Sequence, residues 1–577
     1  MGHPTRMPWR GWALPLLATV AVLVPVWAVE YPPLQDYPYH LVRAEILARG
    51  DAAGSPYAGT FVTSWLPTPY ALADYLVAGL ALLAPAVPVE LAGRLLLSLI
   101  LVLFPWSLIA LLRAVAPGKE PLGLFGFLLV YSWHFQMGFL GYLLGVALAL
   151  FTFSWWWWRR RRLAAPGVAS LALLALLVYL AHLYAFGILA VAVAVAAWAE
   201  RLPARQWLRA LACFAPPLAL LAALWATQPS PAGDQGPLLL LYGGPVRKIL
   251  LFLGTLPSLW PAWEGVVFGL AALLAVGLLA RGLAGRRTRA AAPGGDRDAG
   301  GPEPALAAVV LTLALLYLVL PDHAGEAFFI ANRVPLFLLL FAVPLMACPA
   351  TTRGRRILAA ALAALVLLHV GGVLVRYRAI DRELRDYAAV LREVPAGARI
   401  AFLADWEGMR EWRIAPGALF GGYHYLESRR GDIPDLEHFV GFLRTVAYRS
   451  RAGRTLSTAA VSGRESLEEL LGRRWLVGRW GGVLVMGHEG GLPIAEVAGR
   501  YGYRRLFAAG PLALWLKVEP VYLRERAEPY YVTGFPDPEW VVVLEDAEEA
   551  PEVGPAFREV AREGDVHLLR RMPHSRR

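Results

Sequence analysis

The chain alternates between long apolar runs and short polar joints. Apolar runs fall at residues 11–29, 70–83, 91–112, 122–131, 140–158, 168–197, 207–226, 265–279, 305–320, 328–346 and 357–375. About 20 apolar residues of helix cross a bilayer, so the pattern predicts an α-helical polytopic membrane protein of about 11 to 13 spans. The run 168–197 is too long for one upright helix and has His182 near its middle, which predicts a short hairpin or a strongly tilted helix. Between the first two runs lies the polar, aromatic loop 30–69, in which Pro38 opens a helix over 39–49.

The character changes after residue 376. Residues 378–393 carry the period of a charged amphipathic helix, and 398–404 form a short apolar strand after a Pro-Ala-Gly turn. Ser462 and Glu465 make a capping box ahead of a helix that Gly472 ends. Strand-like runs follow at 475–477, 483–486, 512–518 and 540–544. The expected organisation is a transmembrane domain over 1–376 with its first outward loop at 30–69, then an extracytoplasmic α/β domain over 377–577. The glycine pairs of this second domain lack dinucleotide-fingerprint spacing.

Composition supports the membrane reading. Hydrophobic residues make up 57% of the 577, and the mean hydropathy is +0.49, so most of the chain belongs in lipid. The net charge of +11 could suggest nucleic acid, but the arginines cluster in short joints (159–162, 281–289, 353–356), as topology signals do. These place the N-terminus and those joints in the cytoplasm and the loop 30–69 outside it. The expected location is a cell (inner) membrane, crossed many times, with membrane lipid and not nucleic acid as partner. The Trp155–Trp158 block before Arg159 is an aromatic belt with a positive stop, and 290–301 is a polar cytoplasmic loop. The two cysteines, Cys213 and Cys348, sit in apolar runs and offer neither a disulfide framework nor zinc spacing.

Chemistry concentrates where spans end. Asp36 follows the first span; a carboxylate there can take a proton from an acceptor or cap the helix that Pro38 opens. His40 and Arg43 share one face of that helix, and Arg43 either meets a phosphate or snorkels to the interface. Glu45 reads as a surface residue. Four of the eleven histidines, His40, His134, His182 and His323, fall at expected outward span ends and, with Gln136, could line one cavity. Separate spans give these histidines no metal-ligand spacing. Arg333 stands at an outward span end, where a phosphate, Asp322 or Glu326 could compensate its charge. Arg247 and Lys248 offer a second phosphate contact, Asp74 and Arg94 read as a mutual ion pair, and His369 as a packed core residue.

The loops around 35–43 and 331–335 resemble those of the GT-C superfamily of polytopic glycosyltransferases, in the branch of protein mannosyltransferases and aminoarabinose transferases. The shared features are an acid soon after span one (Asp36), a proline-rich entry to the next span (Pro67, Pro69), Arg94 beyond it, Arg333 in a later outward loop and an outward C-terminal domain. The resemblance implies a GT-C-like fold, a polyprenyl-phosphate sugar donor and an integral-membrane glycosyltransferase acting on the extracytoplasmic side. It assigns acceptor activation to Asp36 and the departing phosphate to Arg333 with Arg43. Tyr37 stands where the family carries a second acid, which leaves a divalent metal open as cofactor and makes His40 the candidate substitute. A transporter or lipid flippase, or a non-catalytic assembly protein acting through 377–577, would share the span count. No symmetry between halves favours transport.

Overall fold

The computed structural model describes residues 12–226 apart from 51, 53–54, 56 and 58–60; 240–291 apart from 243 and 257–260; 303–392 apart from 325–328; and, beyond 392, the strand segments and Tyr423. The chain divides into two compact units. The first comprises Met1–Ala48, Thr63–Arg378 and Leu443–Val446, and the second Arg49–Val62, Ala379–Phe442 and Ala447–Arg577.

The first unit is helical. In chain order its elements are α1 (Ala13–Trp27), α2 (Tyr37–Arg49), α3 (Ala71–Leu83), α4 (Val89–Val115), α5 (Leu124–Leu129), α6 (Trp133–Gln136), α7 (Leu140–Arg159), α8 (Ala165–Ala181), α9 (Leu183–Ala199), α10 (Ala204–Ala212), α11 (Ala215–Ala226), α12 (Pro245–Leu253), α13 (Pro261–Ala291), α14 (Glu303–Val319), α15 (Val334–Ala342) and α16 (Thr352–Arg392). Among the described residues, four segments are long and apolar enough to cross a membrane: Val89–Val115, Leu140–Arg159, Ala262–Gly285 and Thr352–Arg382. The pair α10 and α11, bent by 41°, makes a fifth if counted as one span. Seven shorter apolar helices, including α1, α3, α8, α9 and α14, accompany them. The chain is thus an α-helical, multi-pass membrane protein; the expected 11 to 13 spans require the shorter helices to be counted.

Small residues let these helices approach closely. A Cβ on Gly126 would lie 2.8 Å from the Cα of Pro105, which seats α5 on the proline turn of α4. On α7, Gly141 and Gly145 are one helical turn apart. A Cβ at the first would lie 2.8 Å from the Ala181 carbonyl, and at the second 2.9 Å from Cβ of Ala185 and 3.1 Å from that of His182. The α7 backbone therefore packs against the joint between α8 and α9. That joint is His182, with extended backbone at φ −167° and ψ 121°, whose Nδ1 accepts the Tyr184 amide at 3.1 Å and caps α9. The long run 168–197 is accordingly two helices broken at its histidine.

The amphipathic stretch 378–393 is helical as far as Arg392, as the continuation of α16 from Thr352. One expectation is corrected. Glu45 is buried at 5% exposure, since the helix carrying it packs on most of its faces.

The second unit contains a five-stranded mixed sheet in the order Ala459–Val461, Ile400–Asp405, Gly482–Met486, Leu512–Lys517, Tyr503–Ala509. The first two pairings are parallel and the last two antiparallel. A three-stranded antiparallel sheet joins Trp540–Leu544, Val566–Arg571 and Phe557–Glu563 in that order. Of the expected strands at 398–404, 483–486, 512–518 and 540–544, the described residues 400–404, 483–486, 512–517 and 540–544 lie in these sheets; the strand at 475–477 and the helix after Ser462 lie outside the described residues.

Candidate functional site

Asp36 immediately precedes α2 and is clamped through its backbone. Its amide donates to the Met137 carbonyl at 3.1 Å, and the Gln35 amide donates to the Gln136 carbonyl at 2.9 Å. The turn that accepts these bonds ends at Gly138, with φ +76°, where a Cβ would lie 2.7 Å from the Asp36 nitrogen. Only glycine meets both demands, the left-handed backbone and the close approach. The Asp36 side chain is half-buried and takes a long hydrogen bond of 3.4 Å from Gln35 Nε2. Burial pushes its carboxyl up from 3.8 to about 7, against the pull of the Gln35 hydrogen bond and the charges of Arg43 and Arg333.

One turn along α2, His40 and Arg43 converge on Asp74, in the first turn of α3. Arg43 Nε donates to Asp74 Oδ2 at 2.8 Å, and His40 Nδ1 lies 2.6 Å from Asp74 Oδ1. Arg43 Nη2 lies 2.8 Å from the same imidazole nitrogen. The Asp74 side chain is fully buried and that of Arg43 is 3% exposed, so the pair is a desolvated ion pair whose geometry satisfies both members. His40 also bonds the Gly138 backbone, and burial holds its imidazole below the usual range despite the pull of Asp74. The expected Asp74–Arg94 pair does not form. Arg94 instead donates to the Glu30 carbonyl, because α3 turns Asp74 toward α2.

Arg333 comes from the 3-10 turn Ala331–Arg333 that leads into α15. Its guanidinium lies within electrostatic reach of Asp36 and of the hydroxyls of Tyr70, Tyr142 and Tyr184. It stands 5.2 Å over the Phe139 ring and donates from Nη1 to the Phe329 carbonyl at 3.1 Å. The Tyr142 hydroxyl donates to the Arg333 carbonyl at 2.5 Å. Tyr70 takes a left-handed conformation, φ 73°, at the start of α3, unusual for a bulky side chain. Its ring meets His182 edge-on at 4.4 Å.

The other expected site residues divide. His134 belongs to the cluster: its Nε2 lies 3.0 Å from the Asn332 carbonyl, next to Arg333, and its ring is 5.0 Å from that of Tyr142. His182 lies 5.3 Å from the other side of Tyr142. Gln136 contributes its carbonyl to Gln35, while its Oε1 accepts the Tyr377 hydroxyl at 2.9 Å. His323 sits in a short antiparallel pairing of His323–Ala324 with Leu240–Leu241 and touches Phe329 at 5.9 Å between rings. The suggested pairing of Asp322 with Arg333 is not found. Asp322 is held by Lys248 at 2.9 Å and Arg247 at 3.1 Å, which also gives that cation pair a partner other than phosphate. Glu326 lies outside the described residues.

Among the described residues no group of three or more His, Cys, Asp or Glu is placed to hold a metal ion. His40 is drawn to Asp74 and the other histidines face aromatic rings. Sequence reading missed Asp74 as the partner of Arg43, and the tyrosines at 70, 142 and 184. The signal for Asp74 was present: one acid in the apolar run 70–83 demands a buried cation, and Arg43 was nearer in fold than Arg94.

No family model matches the chain, and no curated protein matches it significantly. Among solved structures it is similar to ArnT from Cupriavidus metallidurans in the apo state, with a TM-score of 0.48 at 9% identity over 88% of this chain and 98% of that one. It is similar to the same protein bound to undecaprenyl phosphate, with a TM-score of 0.48 at 9% identity over 89% of this chain and 99% of that one.

Proposed function

We propose that the protein is an integral-membrane glycosyltransferase that moves a sugar from a polyprenyl-phosphate donor to an acceptor on the extracytoplasmic side. One placement carries the reading: Asp36 is clamped at the start of α2 by its amide on the Met137 carbonyl at 3.1 Å, within electrostatic reach of Arg333 at the start of α15. A base with a pKa near neutrality accepts a proton without being fully protonated beforehand. A cation beside it stabilises negative charge that develops on a leaving group.

In the proposed reaction the acceptor hydroxyl or amine attacks the anomeric carbon. The new bond forms to that carbon as its bond to the phosphate oxygen breaks, and the electron pair leaves on the polyprenyl phosphate. The acceptor proton passes to Asp36, and Arg333 receives the phosphate charge. Asp74 compensates most of the charge of Arg43, so Arg43 serves chiefly to hold His40 and the start of α2 in place. His134, Gln136 and His182 shape the surroundings of Arg333, and His323 borders them through Phe329.

The position of the cluster favours this reading over transport. Asp36 lies between α1 and α2, Asp74 in the first turn of α3, His182 at the start of α9 and Arg333 at the start of α15. Most of these positions are helix ends beside loops, and among the described residues no repeated pair of broken helices in the two halves marks a transport site. The test is incubation of purified protein with a panel of labelled polyprenyl-phosphate sugars. Release of lipid phosphate that depends on Asp36 and Arg333 is expected; no release from any donor would overturn the proposal.

A further inference from the structure

We propose that Tyr377 of α16 is a positioning residue for Asp36, acting through Gln136 and the turn that ends at Gly138. This rests on the role given to Asp36 above. The Tyr377 hydroxyl donates to Gln136 Oε1 at 2.9 Å, and both side chains are buried, at 0% and 1% exposure. The same Gln136 accepts the Gln35 amide on its carbonyl, and its neighbour Met137 accepts the Asp36 amide. These three hydrogen bonds link the last membrane helix, through Gln136 and Met137, to the backbone at the candidate base. Gly138, which ends the turn, leaves no room for a side chain against Asp36.

Tyr377 is well placed to hold a fixed point. It packs edge-on against Tyr131, with ring centres 6.1 Å apart, and Tyr131 is itself tied by its hydroxyl to the Val22 carbonyl at 2.7 Å. The short helix α6 carries Gln136 at its last position, and α6 is anchored at its start by the Trp133 amide donating to the Thr255 carbonyl at 3.1 Å. The far end of α6, the end that faces Asp36, has Tyr377 as its side-chain anchor. Loss of that anchor lets the turn lift and admits water to the Asp36 carboxyl. The groups that act on the carboxyl are Gln35, Arg43 and Arg333, and Tyr377→Phe alters none of them chemically.

The experiment reads Asp36 directly. Dicyclohexylcarbodiimide modifies protonated carboxyls in apolar surroundings, and mass spectrometry of the peptide containing residues 31–43 reports modification of Asp36, with Asp36→Asn as the blank. Labelling is followed against pH in the full chain for the wild type, Tyr377→Phe, Gln136→Leu and their double variant, with Tyr179→Phe on α8 as a control hydroxyl loss elsewhere. The labelling midpoint is expected to fall by half a pH unit or more in each single variant, to fall no further in the double variant, and to stay put in Tyr179→Phe. A wild-type midpoint in either single variant that remains folded overturns the proposal. Should the midpoints shift while no polyprenyl-phosphate sugar is turned over, the positioning role stands and the transferase reading falls.

Discussion

Replacing Asp36 with Asn should inactivate the protein and stabilise it in the same stroke. The amide keeps the shape of the side chain but removes the base, and general-base catalysis contributes about 10²–10⁴-fold. Transfer should fall by that factor. Stability moves the other way. The carboxyl rises from 3.8 to about 7 because burial disfavours its charge. The shift corresponds to a ceiling on the order of 4 kcal/mol, and about 1–3 kcal/mol once partial solvent contact screens the half-buried group. The folded chain holds the Asp36 proton to higher pH than the unfolded chain does. The wild type therefore has its full stability from this group below pH 3.8 and loses it as pH rises through about 7. The neutral amide of Asp36→Asn carries no such penalty. Thermal unfolding of the detergent-purified proteins should show Asp36→Asn level with the wild type at pH 4 and several degrees above it at pH 8. A variant less stable than the wild type at pH 8, or one retaining full transfer, refutes the assignment of Asp36 as a buried base.

Other perturbations test the surrounding parts. In the wild type, transfer should rise with pH through about 7 as Asp36 loses its proton; Arg333→Gln removes a charge that favours the carboxylate, so this rise should move to higher pH while donor affinity falls, both read from a pH series of initial rates. Asp74→Asn leaves Arg43 buried without its counter-charge, a loss of about 3–5 kcal/mol, and Arg43→Gln in the same chain should recover part of it; apparent unfolding temperatures of the single and double variants decide this. Gly145→Leu forces a side chain into the contact with Ala185 and His182 and should destabilise by about 1–3 kcal/mol, seen as a lower unfolding temperature with the α8–α9 joint as the first region to exchange amide hydrogen.

Much of the helical unit was legible because a bilayer leaves few options. Lipid forbids unpaired backbone polar groups, so an apolar run of span length is a helix, and the runs at 70–83, 91–112, 140–158 and 305–320 each overlap a helix whose ends agree to within a few residues. The run 168–197 showed where this logic stops. Periodicity has no feature to mark a break inside continuous apolar sequence, and His182 registers as a break only once its side chain is seen capping the following helix. The candidate site was legible in part for a related reason. Polar residues beside spans are costly, so Asp36, His40, Arg43, His134 and Arg333 stood out. Tyrosine carries no such cost at an interface, so the pattern did not single out Tyr70, Tyr142 and Tyr184.

Charge accounting ties the cluster together. Asp74 faces Arg43 at 2.8 Å and is wholly buried, so those two charges compensate one another and fix the start of α2 against α3. Asp322 does the same for Lys248 at 2.9 Å, which pins the loop ahead of Arg333. Within electrostatic reach of Asp36 stand Arg43 and Arg333, the latter set among three tyrosine hydroxyls and an aromatic face. An incoming phosphate would raise the proton affinity of Asp36 further, since a like charge disfavours the carboxylate. Binding of an anionic lipid phosphate should then be accompanied by proton uptake near pH 7, and its affinity should weaken as pH rises above the Asp36 value. Titration calorimetry of undecaprenyl phosphate in buffers of different ionisation enthalpy measures the protons taken up per lipid bound. Uptake that survives in Asp36→Asn would place the proton elsewhere and dissolve the coupling.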